Sequence, residues 1–302
     1  MRSAPTKAMR LGLSLITLCL ALTATGAARA DDPPQPPLRW DPAWSHAGPV
    51  DYVMGGAGLV TLGVETVLLQ SRIEQPRWEG ALLPLDKPVQ ELFRGRSAAA
   101  RNEAADASWA FWWAELGYPT LVDVPYAWAR YGRQVAWDLL WQDAVSLSLS
   151  AVFDFTLRDV IARVRPINQE CLDSGGKNCL SAPENTRSFP SGHVSEASTA
   201  AALICTQHLT MHLYGSPGDE LVCADAIAAD VGLGVLRLVT DNHYLSDEIG
   251  GAAIGLAFGW GLPVLMHLHG HAATDDGKAG LLIAPYPMVL DHGAGLGATA
   301  IF

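Results

Sequence analysis

The chain has 302 residues, 49% of them hydrophobic, enough for one large domain or two small ones with a substantial core. Its formal net charge is −11, which excludes the basic class that grips nucleic acid through lysine- and arginine-rich patches. The mean hydropathy of +0.16 is high for a soluble enzyme and low for a chain made mostly of lipid-facing helices.

The first thirty residues read as a secretory signal peptide. Arg2, Lys7 and Arg10 form a positive start, Leu11 to Leu22 is a short apolar run, and Ala28-Arg29-Ala30 is a small-x-small cleavage site. The run is short for a membrane span, which takes about 20 residues. Cleavage after residue 30 is therefore expected, with an uncleaved anchor as the alternative. It leaves 16 basic against 31 acidic residues and places the mature protein outside the cytoplasm, periplasmic or secreted. Residues 31–48 are Pro-rich and polar, an extended leader.

Residues 49–275 read as one mostly helical domain without internal repeats. Residues 50–70 are apolar with many small residues and are expected to be helical. A segment rich in charge and Pro follows to residue 106, then an aromatic stretch with Trp109, Phe111, Trp112 and Trp113. After Pro119 and Pro125 a long helix is expected over 134–164, stopped by Pro166. Residues 167–189 form a loop. Helices are expected over 191–213 with Ser191 as the cap, over 220–240, and over 243–267, where abundant Gly and Ala suit close packing. In the tail, residues 276–302, the stretches Leu281–Met288 and Gly293–Phe302 alternate as a small β-hairpin does. The expected class is all-α: a helical bundle of about six main helices with a small C-terminal hairpin.

Cys19 leaves with the signal, and four cysteines remain in an oxidising compartment. Cys171 and Cys179 bracket a short loop and are candidates to pair, which leaves Cys205 for Cys223; the alternative is four buried thiols.

Three patches carry chemistry. Arg158 and Arg165 are seven residues apart, two turns of a helix, and so lie on one face near its end. Two guanidinium groups side by side repel unless an anion sits between them, and their forks suit phosphate oxygens. Pro190-Ser191-Gly192-His193 opens a helix, where free N–H groups, a hydroxyl and the helix dipole favour an anion. Arg237 precedes His243 and Asp247, which are four apart and share a helical face. There a carboxylate can hold one imidazole nitrogen and leave the other to attack. The bland alternatives are solvated charges, an ordinary helix cap and a surface ion pair. Each patch is weak alone. Together they supply three arginines, two histidines, a carboxylate and an anion site, the inventory of phosphoryl transfer.

The order Arg158-x6-Arg165-Pro166, Pro190-Ser191-Gly192-His193, Arg237-x5-His243-x3-Asp247 resembles the tripartite signature of the type 2 phosphatidic acid phosphatase and vanadium haloperoxidase superfamily, over about residues 135–265. The resemblance implies an all-helical core. It also implies that His243 attacks phosphorus and forms a phosphohistidine, that Asp247 orients His243, and that His193 protonates the leaving group. Arg158, Arg165, Ser191, Gly192 and Arg237 would hold the phosphoryl oxygens. Two departures stand out: the signature usually has Lys at Arg158, and Ser at Leu236.

The members it resembles divide into polytopic lipid phosphatases and secreted acid phosphatases. No Lys or Arg occurs between Val194 and Leu236, against the positive-inside tendency for a cytoplasmic turn near 214–219. Acidic residues (Glu65, Asp138, Asp143, Asp154, Asp225, Asp230) punctuate the expected helices, and charges inside spans are costly. These features favour a periplasmic helical domain, soluble or membrane-associated, with an integral membrane protein as the alternative.

The expected function is a phosphatase acting on phosphate monoesters or diphosphates, either lipid phosphates such as phosphatidic acid or isoprenyl diphosphate, or small phosphomonoesters. No cofactor and no metal are expected. The alternative is a vanadate-dependent haloperoxidase, the one reading in which vanadate is a cofactor, and a third is a helical module that binds phosphate without turnover. His267, His269 and His271 alternate, but a solvated helix end outweighs a metal site there. The Trp109, Trp112 and Trp113 group is either packing or a wall for lipid or substrate.

Overall fold

The computed structural model describes residues 38–301 except 39, 70, 72–74, 269–281 and 291–292, and of the two tail strands the backbone alone. The signal peptide, most of the leader, His269 and His271 lie outside the described residues.

Helix α1, Pro49–Val64, starts where Pro49 fixes φ and Asp51 accepts the Gly48 N–H at 2.8 Å. It continues as a wider turn, Glu65–Leu69. Two helices occupy the charged segment and its border: α2, Asp86–Phe93, and α3, Ala98–Tyr118, which Ser97 caps by accepting the Ala100 N–H at 3.1 Å. Pro119 does not break the chain's helical path. A wide turn, Pro119–Asp123, passes it into α4, Val124–Tyr131, which ends at Gly132 with φ +98°.

Helix α5, Arg133–Ile161, stops before Pro166, at Ala162 in the left-handed region with φ 46°. After α6, Pro166–Asp173, come α7, Gly192–Met211, α8, Gly218–Val239, and α9, Leu245–Leu256. The last extends through wide turns to Leu268. In the tail β1, Leu282–Leu290, pairs antiparallel with β2, Gly293–Ile301.

Helix α7 is the axis of the bundle. Ala197, Ala200, Ala201, Leu203 and Ile204 are buried on it, with α8, α9, α5 and α3 packed around. The Gly and Ala of α9 let it come close. Gly251, Gly255 and Gly259 recur every four residues and face α7. A Cβ on Gly251 would stand 2.7 Å from the Ser191 carbonyl, and one on Gly255 2.7 Å from the Thr199 nitrogen. The Cys205–Cys223 disulfide ties α7 to α8, and Cys171–Cys179 closes the loop after α6. The candidate pairs are therefore the ones formed.

His267 differs from its expectation as part of a solvated helix end. It is buried, with Nε2 2.9 Å from Asp51 and Nδ1 3.1 Å from the Ser45 carbonyl, and it pins the end of α9 to the start of α1. The sequence pattern missed it because its partners lie over two hundred residues away.

Gly255→Ala is expected to lower stability by about 1–3 kcal/mol through overpacking against α7; a denaturant midpoint measures it, and an unchanged midpoint would mean that α9 can move away from α7 freely.

Candidate active site

The three patches converge at one end of the bundle. There the end of α5, the start of α7, the end of α8 and the loop before α9 meet. Arg158 sits in the last turn of α5, with Nη2 2.7 Å from Asp154 Oδ2 and its guanidinium over the Phe155 ring at 4.3 Å. Arg165 is not on that helix. The left-handed Ala162 turns the chain, and Arg165 stands in extended backbone as the residue before α6, its Nη2 donating to Glu184 at 3.0 Å. The two arginines share a site because of this turn, not because of a two-turn spacing on one helix face.

Ser191 is the residue before α7, as expected, but its hydroxyl caps nothing. It is fully buried, and its hydroxyl faces the buried carboxylate of Glu248. Gly192 follows because nothing larger fits: its Cβ would lie 2.9 Å from Arg158 Cζ and 2.9 Å from Asp154 Oδ2. His193 stands edge-on to Trp109 at 4.5 Å and tilted to Trp112 at 5.7 Å, and its Nε2 has no partner. Arg237 ends α8, with Nη1 donating to Ser108 Oγ at 3.3 Å and Nη2 3.2 Å from His243 Nε2.

Burial works first against the charges on Arg237 and Arg165; Arg165 and Arg158 then depress Arg237, and Arg158 depresses Arg165. The three guanidinium groups therefore lie close enough to repel. Their Nε atoms and His193 Nε2 are all buried without partners. Buried donors are rarely left so, and an anion among them would satisfy them together.

His243 lies before α9, not on it. Its Nδ1 is 2.8 Å from the Ser188 carbonyl, an acceptor, so Nδ1–H donates and Nε2 keeps its lone pair. Burial, then the charges on Arg237 and Arg165, hold its pKa well below the ordinary value, so the ring is neutral. Asp247 does not touch the imidazole: Oδ2 is 3.9 Å from Nδ1. That carboxylate accepts from Ser188 Oγ at 2.6 Å and the Tyr244 N–H at 2.7 Å, and pairs with Arg163. Burial pushes it up, and Arg163 and the other donors pull it back. Asp247 thus fixes Ser188, and the Ser188 carbonyl fixes His243.

Arg163 is the residue that sequence reasoning missed. Fully buried, it lies over the Trp78 ring at 4.5 Å and the Tyr244 ring at 4.2 Å. It pairs with Asp247, donates to Ser246 Oγ at 2.8 Å and the Gly80 carbonyl at 2.8 Å, and reaches Asp86 at 3.1 Å. Helical spacing selected Arg158 and Arg165 and passed over the arginine between them. A third arginine within eight residues of an acidic chain was the available signal.

Three cationic groups around buried, unpartnered nitrogens, with a neutral imidazole on one side and a second imidazole on another, form a set that suits a phosphate group. The model of the PAP2 superfamily matches residues 139–270. One solved structure that it resembles is the crystal structure of the first transmembrane PAP2 type phosphatidylglycerolphosphate phosphatase from Bacillus subtilis. That likeness has 16% identity, covers 84% of this chain and 94% of that one, and has a TM-score of 0.35. No curated protein matches the chain.

Arg163→Ala leaves Asp247 and Asp86 without their buried cation. It is expected to lower stability by about 3–5 kcal/mol, read by chemical denaturation; a loss under about 1 kcal/mol would show that water can replace the guanidinium there.

Proposed function

We propose that the protein hydrolyses phosphate monoesters or diphosphates, lipid phosphates such as phosphatidic acid or isoprenyl diphosphate among them, through a phosphohistidine on His243. The observation that carries the reading is the set of unpartnered buried nitrogens on Arg158, Arg165, Arg237 and His193 beside His243 Nε2, whose lone pair meets Arg237 Nη2 at 3.2 Å. The arginines, Ser191 Oγ and the Gly192 N–H would hold the phosphoryl oxygens. His243 Nε2 attacks phosphorus, the bond to the leaving oxygen breaks, and that oxygen takes a proton from protonated His193. In the second step His193, now neutral, takes a proton from water as the water attacks phosphorus. The P–N bond breaks and inorganic phosphate leaves. Asp247 serves both steps by holding Ser188, and through it the His243 tautomer.

Trp109 and Trp112 flank His193 and so stand where the leaving group would depart, which supports an apolar alcohol there. The two disulfides support a periplasmic or secreted location. Membrane association is supported by apolar residues exposed along α1 and its extension (Val53, Val60, Val67), α8 (Ile227, Val231, Val235) and α9 with its extension (Ile249, Leu256, Trp260). Leu245–Leu268 is long and apolar enough to cross a membrane, and 28% of its apolar window is buried.

His243→Ala is expected to lower kcat about a thousandfold or more and to abolish an acid-labile, alkali-stable phosphoryl label on quenched enzyme; retained turnover would remove His243 from the chemistry. Vanadate is expected to inhibit. Burial, then Arg237, Arg158 and Arg165, hold His193 well below its ordinary pKa of 6.5, and only its protonated form donates. With His243 staying neutral into acid, kcat/KM is expected to rise as pH falls and to drop about tenfold per unit on the alkaline side. A profile flat from about pH 5 to 8 would remove His193 as the proton donor. On fractionation the mature protein is expected to follow membranes and be released by detergent; full recovery in buffer alone would sink the membrane association.

A further inference from the structure

Asp154 is fully buried on α5, one turn before Arg158, and faces that arginine at 2.7 Å. Burying a carboxylate costs several kcal/mol, and burial followed by Arg158 sets the direction of its titration. Among the described residues, three groups placed against the Arg158 guanidinium set its orientation. One is Asp154. Another is the Phe155 ring at 4.3 Å. The third is the Gly192 backbone, so close that a Cβ would stand 2.9 Å from Cζ and 3.0 Å from Nη1. Nη2 is committed to Asp154, whereas Nη1 lies against the start of α7 and Nε has no partner.

We propose that Asp154 is a positioning residue for the reaction: it fixes one edge of the Arg158 guanidinium so that the other edge is presented to the phosphoryl group at the start of α7. This rests on reading the arginine cluster as the phosphate site. It also accounts for arginine at 158, where the signature noted above usually has lysine. A planar fork can serve a carboxylate and a phosphate at once, with separate N–H groups for each. A lysine ammonium is a point charge on a flexible stem. Next to Asp154 it would be drawn to the carboxylate and lost to the phosphate.

The coupling has a sign that separates it from other roles. Removing Asp154 from the Arg158 enzyme lets the guanidinium swing, and a misplacement of about 1 Å costs as much as a hundredfold in rate. Removing it from an Arg158→Lys enzyme frees the ammonium. The test is the cycle of wild type, Asp154→Asn, Arg158→Lys and the double variant, assayed on p-nitrophenyl phosphate, with thermal melts to ensure that folded proteins are compared. Asp154→Asn is expected to lower kcat about tenfold when Arg158 is present and to raise it about tenfold in the Arg158→Lys background. An equal loss in both backgrounds would assign Asp154 to the fold alone. A gain in both would make it a mere counter-charge. Either overturns the proposal. Asp154→Ala runs the same cycle if the Asn variant does not fold. The cycle is also read as orthophosphate affinity by calorimetry. If the wild type hydrolyses nothing, the phosphatase reading fails on its own, and the reversal of sign in phosphate affinity still decides the role of Asp154.

Discussion

The site hangs on one buried guanidinium. Arg163 lies between the faces of Trp78 and Tyr244 and links Asp247 to Asp86. Such an ion pair gains little over a well-packed apolar core, but losing one partner strands the others. Here the stranded groups would be the carboxylate that holds Ser188 and the one that receives the Ser246 N–H at 2.8 Å. His243 is therefore fixed at three removes. Arg163 holds Asp247, Asp247 holds the Ser188 hydroxyl, and the Ser188 carbonyl holds His243 Nδ1 at 2.8 Å. Each bond in this chain has a defined donor and a defined acceptor, which is what sets one tautomer and one ring orientation.

The other constraint is the closeness of α7 and α9. Gly251 puts α9 against the Ser191 carbonyl, and the Ser191 N–H donates to the Asp247 carbonyl at 3.0 Å. The start of α7 and the loop that carries His243 are thus coupled through backbone, with no long side chain between them. Precision of that kind does not depend on rotamers.

Much of this was legible in the sequence, and the reasons differ by element. The helices of α7 to α9 were readable because their caps and turns are local. The Gly and Ala of α9 announced close packing, and the cysteine pairs followed from a short loop and elimination. Arg158, Ser191, His193, Arg237 and His243 were readable as residue types in an order. Their geometry was not. The sequence suggested that Arg165 follows Arg158 on one helix and that Asp247 touches His243, because periodicity assumes that a helix persists. Both assumptions failed where the chain leaves helical φ: at Ala162, and before Leu245. Ser188 and Asp86 stayed hidden because nothing local marks them, and Arg163 because its spacing leaves it off the helical face of Arg158 and Arg165. Their meaning comes from partners 55 to 160 residues away.

The matched region starts at residue 139, yet several walls of the site come from before it. Asp86 supports the loop that carries His243, Ser108 receives Arg237, and Trp109 with Trp112 flanks His193. On the proposed reading, the groups that hold the phosphate lie within the matched stretch, and the surface that meets the departing group lies before it, on α3. Changes at Trp109 and Trp112 would then alter what is dephosphorylated without disturbing how.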